Sequence, residues 1–226
     1  MPVNKEAYLQ LKTELDAKGV TLVAVSKTKP TSDILELYNL GHRDFGENYV
    51  QELVDKQALL PADIRWHFIG HLQRNKVKYI APFVHLIHGV DSFALLQEVN
   101  KQAGKNNRVI PVLLQMHIAK EETKFGLNED ELKELIAALA DVPLHRIRIE
   151  GLMGMASFTE NEEAIKSEFR HLQNLYQQYK TLKTSTIHFS QLSMGMSSDY
   201  RLAIEAGSTM VRIGSLLFSA RNAASK

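Results

Sequence analysis

The feature that most constrains the fold is a repeat of short apolar, β-branched runs, each followed by a segment with helical periodicity. This alternation is typical of βα units, in which helices join parallel strands. The eight runs lie at residues 20–25, 43–45, 64–69, 86–90, 109–115, 147–153, 186–192 and 210–213. The fifth run is almost wholly apolar, as expected when both faces of a strand are covered. Eight such units favour a closed barrel over an open doubly wound sheet.

Helical segments are predicted before the first run and between the others. They lie at residues 5–17, 32–40, 49–60, 74–83, 93–103, 129–140, 162–181 and 198–206. The expected N-caps are Ser32, Asn128 and Asn161. The glycines expected at helix ends are Gly19, Gly41, Gly104 and Gly207. No low-complexity linker divides the chain, so residues 1–226 are predicted to form a single α/β domain, a (β/α)8 TIM-type barrel.

Composition excludes several classes of function. The 27 Lys and Arg residues balance 26 Asp and Glu residues, so no basic surface for nucleic acid is expected. The absence of cysteine excludes disulfides, thiolate metal sites and a cysteine nucleophile, and it fits a reducing compartment. There is no signal-peptide pattern, and no apolar stretch approaches the roughly 20 residues of a membrane span. A soluble, cytoplasmic protein without nucleic-acid or membrane partners is therefore expected. A monomer is expected as well, although no residue pattern indicates the oligomeric state.

Barrel active sites are built where strands end, at the carboxyl face, and this rule selects Lys27. Lys27 comes just after the apolar run 22–25. Partial desolvation at the mouth of a barrel would lower the pKa of a lysine and make its neutral amine available to attack an aldehyde. The alternative is an ordinary solvated loop lysine.

The loops after the seventh and eighth strands are where barrels frequently bind phosphate, together with a helix N-terminus. Gly195 and Gly214 in these loops would allow the backbone to approach a ligand closely. Ser197 and Ser215 would offer hydroxyl groups and open helical segments. Taken singly, each of these residues is equally typical of a turn or a cap.

Arg212 lies on or near the last strand and points either into the top of the barrel or out toward a helix. An inward arginine would contact the pyridine nitrogen of a bound cofactor and, being always charged, would keep that nitrogen unprotonated. An outward arginine would form a structural ion pair with an acidic residue such as Glu205.

Two other motifs are weaker. His67 and His71 have the spacing of a helical metal pair, but their segment is predicted to be a strand, where that spacing does not align them, so no metal site is expected. Gly195 and Ser197 begin a G-x-S-x-G pattern, but Asp199 stands in place of the second glycine, which argues against a serine hydrolase.

Several segments together closely resemble the PLP (pyridoxal 5'-phosphate) homeostasis protein family, the YggS-like and PROSC-like proteins. They are residues 23–27 (VAVSK), 45–52 (FGENYVQE), 66–76 (WHFIGHLQRNK), 192–197 (LSMGMS) and 211–214 (VRIG). The resemblance runs in order from about residue 5 to residue 221 and therefore covers nearly the whole chain.

The resemblance implies a PLP-binding barrel like the N-terminal domain of alanine racemase, known as PLP fold type III. It implies that Lys27 forms the Schiff base and that Arg212 faces the pyridine nitrogen. It also implies that the phosphate is held by Ser197, Gly214 and Ser215. Asn48 is implied as a further residue of the pocket.

The family's role in regulating free PLP points to a cofactor carrier or regulator, with PLP-dependent apoenzymes as possible acceptors, rather than to an enzyme. Alanine racemase needs a second domain and an opposite-face tyrosine, for which we expect no room beyond the eighth strand, so efficient racemisation is not expected. The alternatives left open are an amino-acid-acting PLP enzyme with weak racemase-type or transaminase activity, and a sugar-phosphate enzyme that uses Lys27 without PLP.

Overall fold

The computed structural model describes residues 3–119 and 125–218 of the chain, and in it eight parallel strands form a closed barrel. The strands are β1 Thr21–Val25, β2 Asp44–Glu47, β3 Arg65–Phe68, β4 Leu86–Val90, β5 Ile110–Met116, β6 Ile147–Gly154, β7 Ile187–Ser193 and β8 Met210–Ile213. Each strand pairs with its successor in the sequence, and β8 pairs with β1 to close the barrel. The predicted (β/α)8 barrel is confirmed, and every predicted strand is present.

Eight α-helices surround the barrel in the described part of the chain. They are α1 Lys5–Ala17, α2 Thr31–Asn39, α3 Val50–Leu59, α4 Val77–Ile80, α5 Phe93–Lys105, α6 Glu129–Asp141, α7 Glu162–Tyr179 and α8 Tyr200–Glu205. The helix predicted at 74–83 is instead a 3-10 turn, Arg74–Lys76, followed by the single turn of α4. Among residues 3–119 and 125–218, no helix combines the length and the apolar character that crossing a bilayer requires.

The predicted helix N-caps are right in two cases out of three. The Asn128 and Asn161 side chains each accept a hydrogen bond from a backbone N–H in the first turn of α6 and α7. Ser32 is not a cap, because α2 already begins at Thr31, directly after the extended residue Pro30. The fixed φ of proline favours this entry into a helix without a side-chain cap.

Most of the glycines predicted at helix ends adopt the left-handed backbone expected there. Gly19, Gly41 and Gly207 all have positive φ. Gly104 is an exception, because it lies within α5. The left-handed position after α5 is occupied by Asn107, with φ of 50°, since asparagine tolerates that region better than most residues.

His42 provides a test of packing at the amino-terminal end of the barrel. Its ring is buried, packs edge-on against Phe45 and donates from Nε2 to the Asp44 carbonyl at 2.8 Å. Burial lowers the pKa of His42 from 6.5 to about 4. The unfolded chain therefore takes up a proton at higher pH than the folded one, so the stabilisation present above pH 6.5 is lost as pH falls toward about 4.

We expect the free energy of unfolding to fall by about 3 kcal/mol across that interval through His42 alone. His42→Gln keeps an N–H donor but does not titrate, so its stability should fall less steeply in urea unfolding measured across the same pH range. His188→Gln, at an exposed position of β7, is the matched control. Parallel pH profiles for wild type and His42→Gln would contradict the assignment.

Candidate ligand site at the carboxyl end of the barrel

Lys27 lies two residues beyond the end of β1, at the carboxyl face of the barrel. Its side chain is exposed, so the partial burial expected from the sequence is not found. The backbone around it is nevertheless fixed. The Ser26 amide donates to the Gly46 carbonyl at 3.0 Å, and the Lys29 amide closes a turn on the Ser26 carbonyl at 3.0 Å.

Three charged residues, the buried Glu47 and Lys56 and the partly exposed Glu52, form what we call the Lys56 cluster, which holds the loop that carries Lys27. The Lys56 ammonium donates to Oε1 of Glu47 at 2.7 Å and to Oε1 of Glu52 at 2.7 Å. It also donates to the Ser26 carbonyl at 2.8 Å. Burial raises the pKa of Glu47 above its ordinary value, and the nearby Lys56 charge counteracts part of that effect.

The cluster also binds the residue on the other side of Lys27. The Thr28 amide donates to Oε1 of Glu52 at 2.6 Å. Thr28 has φ of 62°, a left-handed conformation that costs a β-branched residue about 1–3 kcal/mol. Because both neighbours of Lys27 are bound to the Lys56 cluster, the backbone conformation at Lys27 is fixed, while the lysine side chain stays accessible.

Arg212 points into the barrel. Its side chain is only 4% exposed, and its partners are Oγ of Ser193 at 2.6 Å and the Gly154 carbonyl at 3.1 Å. The alternative of an ion pair with Glu205 is therefore wrong. Burial lowers the pKa of Arg212 to about 10, and the negative charge of Asp199 partly counteracts this effect. A pKa of about 10 leaves the guanidinium charged at neutral pH.

The loops after β7 and β8 meet, as a shared anion site requires. Oγ of Ser197 accepts a hydrogen bond from the Gly214 amide at 3.2 Å. A Cβ on Gly214 would lie 3.3 Å from the Val25 carbonyl oxygen, so this backbone passes close to the end of β1. Gly195, with φ of +97°, makes the sharp turn that leads into the first of these loops.

Ser215 is exposed and lies at the start of a helical turn. The Gly214 carbonyl accepts hydrogen bonds from the amides of Leu217 and Phe218. The Ser215 amide therefore belongs to a first turn, where backbone N–H groups have no intrahelical partner and can bind an anion. Ser197, by contrast, does not open a helix, because α8 begins at Tyr200 and the N-cap position is taken by Asp199.

Asn48 follows β2 and has an acceptor without a partner. Its side-chain oxygen Oδ1 is buried and makes no hydrogen bond within the part of the chain that the structure describes. Buried polar atoms are usually paired, so an unpaired one beside a strand end suits a residue that meets a ligand. The residues present therefore fit a polar, phosphorylated ligand.

The pairing of β1 with β8 brings the two ends of this site together. Val23 pairs with Arg212 and Ala24 pairs with Ile213. The segments that follow these strands, with Lys27 on one and Gly214 on the other, consequently lie side by side at the same face. Asn48 follows β2, which pairs with the other edge of β1. The predicted site residues are thus carried by β7, β8, β1 and β2, which are consecutive around the barrel.

The two histidines considered as a metal pair lie apart. His71 is in the loop after β3, where it pairs with Asp91 at 3.3 Å and stacks on Phe125. His67 lies inside the barrel. A cavity of about 480 Å³ at the amino-terminal end of the barrel is lined by residues that include Asp44, His67 and His85, whose potential ligand atoms lie within 4.8 Å of one another.

A metal ion at that cavity would compete with an arginine already in place. Nε of Arg65 donates to Oδ1 of Asp44 at 2.7 Å, and its terminal nitrogen binds the other carboxylate oxygen. These contacts hold the pKa of Asp44 well below its ordinary range. We therefore describe the group as a bidentate ion pair with neighbouring imidazoles.

Comparisons with known proteins identify the family and the fold. A family model described as the N-terminal domain of alanine racemase matches residues 5–222. The pyridoxal phosphate homeostasis protein of Aquifex aeolicus (strain VF5) is 43% identical over 201 residues, 88% of this chain and 86% of that protein. That of Escherichia coli (strain K12) is 42% identical over 211 residues, 92% of this chain and 88% of that protein. The chain belongs to the pyridoxal phosphate homeostasis protein family.

Among solved structures, PipY of Synechococcus elongatus PCC7942 has a fold similar to that of this homeostasis family member. The structure of PipY without PLP superposes with a TM-score of 0.87 at 34% identity, covering 95% of this chain and 99% of PipY. The structure of PipY with PLP bound gives a TM-score of 0.85 with the same identity and coverage. The predicted resemblance to the homeostasis family and the alanine-racemase-like fold are both confirmed.

Sequence reasoning missed several residues of the site in this family member. They are Glu47, Glu52 and Lys56 beside Lys27, and His88 and Ser193 beneath Arg212. Glu47 and Glu52 fall inside the segment at 45–52 that carries the family resemblance, which could have drawn attention to them. His88 and Ser193 lie 105 positions apart and gave no local pattern.

Proposed function

We propose that this chain binds PLP covalently through Lys27, as a Schiff base, and acts in PLP homeostasis by buffering, carrying or regulating the intracellular cofactor. Its membership of the pyridoxal phosphate homeostasis family supports this role. The likeness to PipY, which has been solved with PLP bound, supports the ligand. Bound PLP supplies an aldehyde carbon and a conjugated ring that can act as an electron sink.

Each residue of the carboxyl face binds a different part of the ligand. Lys27 provides the amine, and Arg212 meets the ring nitrogen. The loops that carry Ser197, Gly214 and Ser215 hold the phosphate through hydroxyl groups and backbone amides. The unpaired Oδ1 of Asn48 accepts a hydrogen bond from a polar group of the ligand, such as a ring hydroxyl.

The buried, inward orientation of Arg212 is the observation that carries the choice between carrier and enzyme. A permanent cation against the ring nitrogen disfavours protonation there and so weakens the ring as an electron sink. Strong electron withdrawal is what most amino-acid chemistry on PLP requires. The arrangement therefore favours holding the cofactor over turning over substrates, and we propose that the protein is not a dedicated enzyme.

The remaining attributes follow the same proposal. We propose that residues 1–226 belong to one domain and that the protein acts as a monomer in the cytoplasm. The near-zero formal charge and the absence of cysteine support this setting. PLP-dependent apoenzymes are the proposed acceptors of the cofactor.

The test is covalent trapping. Wild-type protein incubated with PLP should develop the visible absorption band of a lysine-bound cofactor, and borohydride followed by peptide mass mapping should locate the reduced pyridoxyl group on Lys27. Lys27→Ala should lose both the band and the label. Lys29→Ala, two positions along the same loop, should keep both.

Two results would overturn the proposal. A wild-type protein that stays colourless after incubation with PLP, but is trapped by borohydride with a sugar phosphate, would favour the aldolase-type alternative. Turnover of amino acids at rates well above those of free PLP would instead establish an enzyme. Either outcome can be read from the same preparations.

A further inference from the structure

A line of buried polar side chains runs through the barrel from Arg212 toward its amino-terminal end. Arg212 contacts Oγ of Ser193 at 2.6 Å, and this oxygen lies 3.1 Å from Nδ1 of His88. Nε2 of His88 lies 2.9 Å from Nδ1 of His67, and Nε2 of His67 lies 3.0 Å from Oδ1 of Asp44. All five residues are buried, and Asp44 and His67 also line the cavity at the amino-terminal end.

The upper end of this line favours one direction for the hydrogen bonds. A guanidinium can only donate, so the Ser193 hydroxyl oxygen must accept from Arg212. The hydroxyl proton is then free to be donated to Nδ1 of His88. In that arrangement the His88 ring carries its proton on Nε2.

The lower end requires the same direction. Asp44 is ionised and can only accept, so Nε2 of His67 must carry a proton. If His67 is neutral, its Nδ1 is an acceptor and must receive the Nε2 proton of His88. The direction favoured by the cation at one end thus coincides with that required by the anion at the other when His67 is neutral.

Burial favours a neutral His88 ring, on which this arrangement depends. Complete burial moves the pKa of His88 well below its ordinary value, and the charge of Arg212 acts in the same direction. The competing arrangement has a doubly protonated His67, which would turn the His88 ring into the Nδ1–H form. Ser193 would then receive two donors, and its own proton would have to point elsewhere.

We propose that Ser193, His88, His67 and Asp44 form a one-way column of hydrogen bonds that holds Arg212 in position from inside the barrel, making Ser193 and His88 positioning residues for the ligand. The role of the column toward a ligand rests on the proposed function, because it is PLP whose ring nitrogen Arg212 is proposed to meet. The direction of the column does not, since it follows from the chain's own donors and acceptors.

The direction can be measured without ligand. Long-range proton–nitrogen NMR correlations on the ¹⁵N-labelled full-length chain, assigned with His67→Gln and His88→Asn, should show the proton of both rings on Nε2 at neutral pH. An Nδ1–H form of His88, or a doubly protonated His67, would overturn the column.

The positioning role is tested with PLP and with its 1-deaza analogue, in which carbon replaces the ring nitrogen. Ser193→Ala removes the acceptor that Arg212 uses and should weaken PLP binding about tenfold, with a shift of the visible band. The loss of affinity caused by Ser193→Ala should disappear for the deaza analogue, because that analogue has no ring nitrogen for Arg212 to contact. His88→Leu should behave like Ser193→Ala, and His88→Asn, which keeps an acceptor near Nδ1, should recover part of the affinity.

Thr186→Val is the matched control, because it removes a buried hydroxyl just before the same strand, where Oγ1 donates to the Leu144 carbonyl at 3.1 Å. It should leave the affinity and the spectrum for both ligands unchanged. An equal penalty for PLP and the deaza analogue would show that Ser193 acts only on the fold, which overturns the positioning role. Failure of Lys27 to be trapped would overturn the proposed function instead, while the NMR experiment would still decide the direction of the column.

Discussion

Replacing Lys56 with Met is expected to lower the free energy of unfolding by about 3–5 kcal/mol, because it leaves the Glu47 carboxylate buried without its cation. Glu47 is completely buried, and the Lys56 side chain is only 7% exposed. The Ser26 carbonyl loses its donor at the same time. Urea unfolding of the purified variants measures the change.

The loss should depend on pH in a defined direction. Without Lys56, the pKa of Glu47 rises further above its ordinary value, so the carboxyl group becomes neutral at higher pH in the folded state. A group with a raised folded-state pKa destabilises progressively as pH rises through that value. The deficit of Lys56→Met should therefore be largest in alkaline buffer and should shrink toward acid.

Two further variants separate the buried pair from a general loss of charge. Lys18→Met removes an exposed lysine paired with Glu14 at 3.1 Å and should cost no more than about 0.5 kcal/mol. The double variant Glu47→Leu with Lys56→Met should recover much of the stability, since replacing a buried ion pair with apolar groups is often neutral. A small, pH-independent effect of Lys56→Met alone would contradict the role given to the Lys56 cluster.

Gly70→Ala is expected to cost about 3 kcal/mol of stability and to weaken PLP binding. A Cβ on Gly70 would lie 2.2 Å from the backbone oxygen of Asn48, and backbone cannot move aside as a flexible side chain would. The strain should shift Asn48, whose unpaired Oδ1 is proposed to face the ligand. Thermal unfolding and PLP titration would measure the two effects.

Gly104→Ala is the control for Gly70→Ala. Gly104 lies within α5, and its added Cβ would meet only Cγ of Arg146 at 3.8 Å, an ordinary contact. Alanine should stabilise this helix by about 0.5–1 kcal/mol. If both alanine variants were tolerated equally, the close approach of the loop after β3 to Asn48 would not be a real constraint.

The fold could be predicted from the sequence because each buried strand appears as a short apolar run of consecutive residues. Apolar runs such as 86–90 and 210–213 could be counted, and both match observed strands in full. Helix ends were harder to predict, because α2 begins directly after Pro30 without the side-chain cap expected of Ser32. Such details depend on backbone geometry that several sequences can satisfy.

The candidate site was only partly readable. Lys27 and the loops after β7 and β8 follow from the rule for strand ends, but the direction of Arg212 did not, because apolar residues flank it on both sides and hide the alternation. Lys56 was hidden for another reason: Glu52 and Lys56 have the i,i+4 spacing of an ordinary exposed helix pair. Only the folded barrel reveals that this pair lies under the loop of Lys27.

Substitutions at the amino-terminal face of such barrels are usually interpreted as affecting stability alone. The proposed column changes how natural or engineered variants at Asp44 and His67 should be classified. A variant there could accumulate to normal levels in the cell and still be defective, because Arg212 would have lost its orientation at the opposite end. Abundance assays would score that variant as neutral, and only a measurement of cofactor occupancy would reveal the defect.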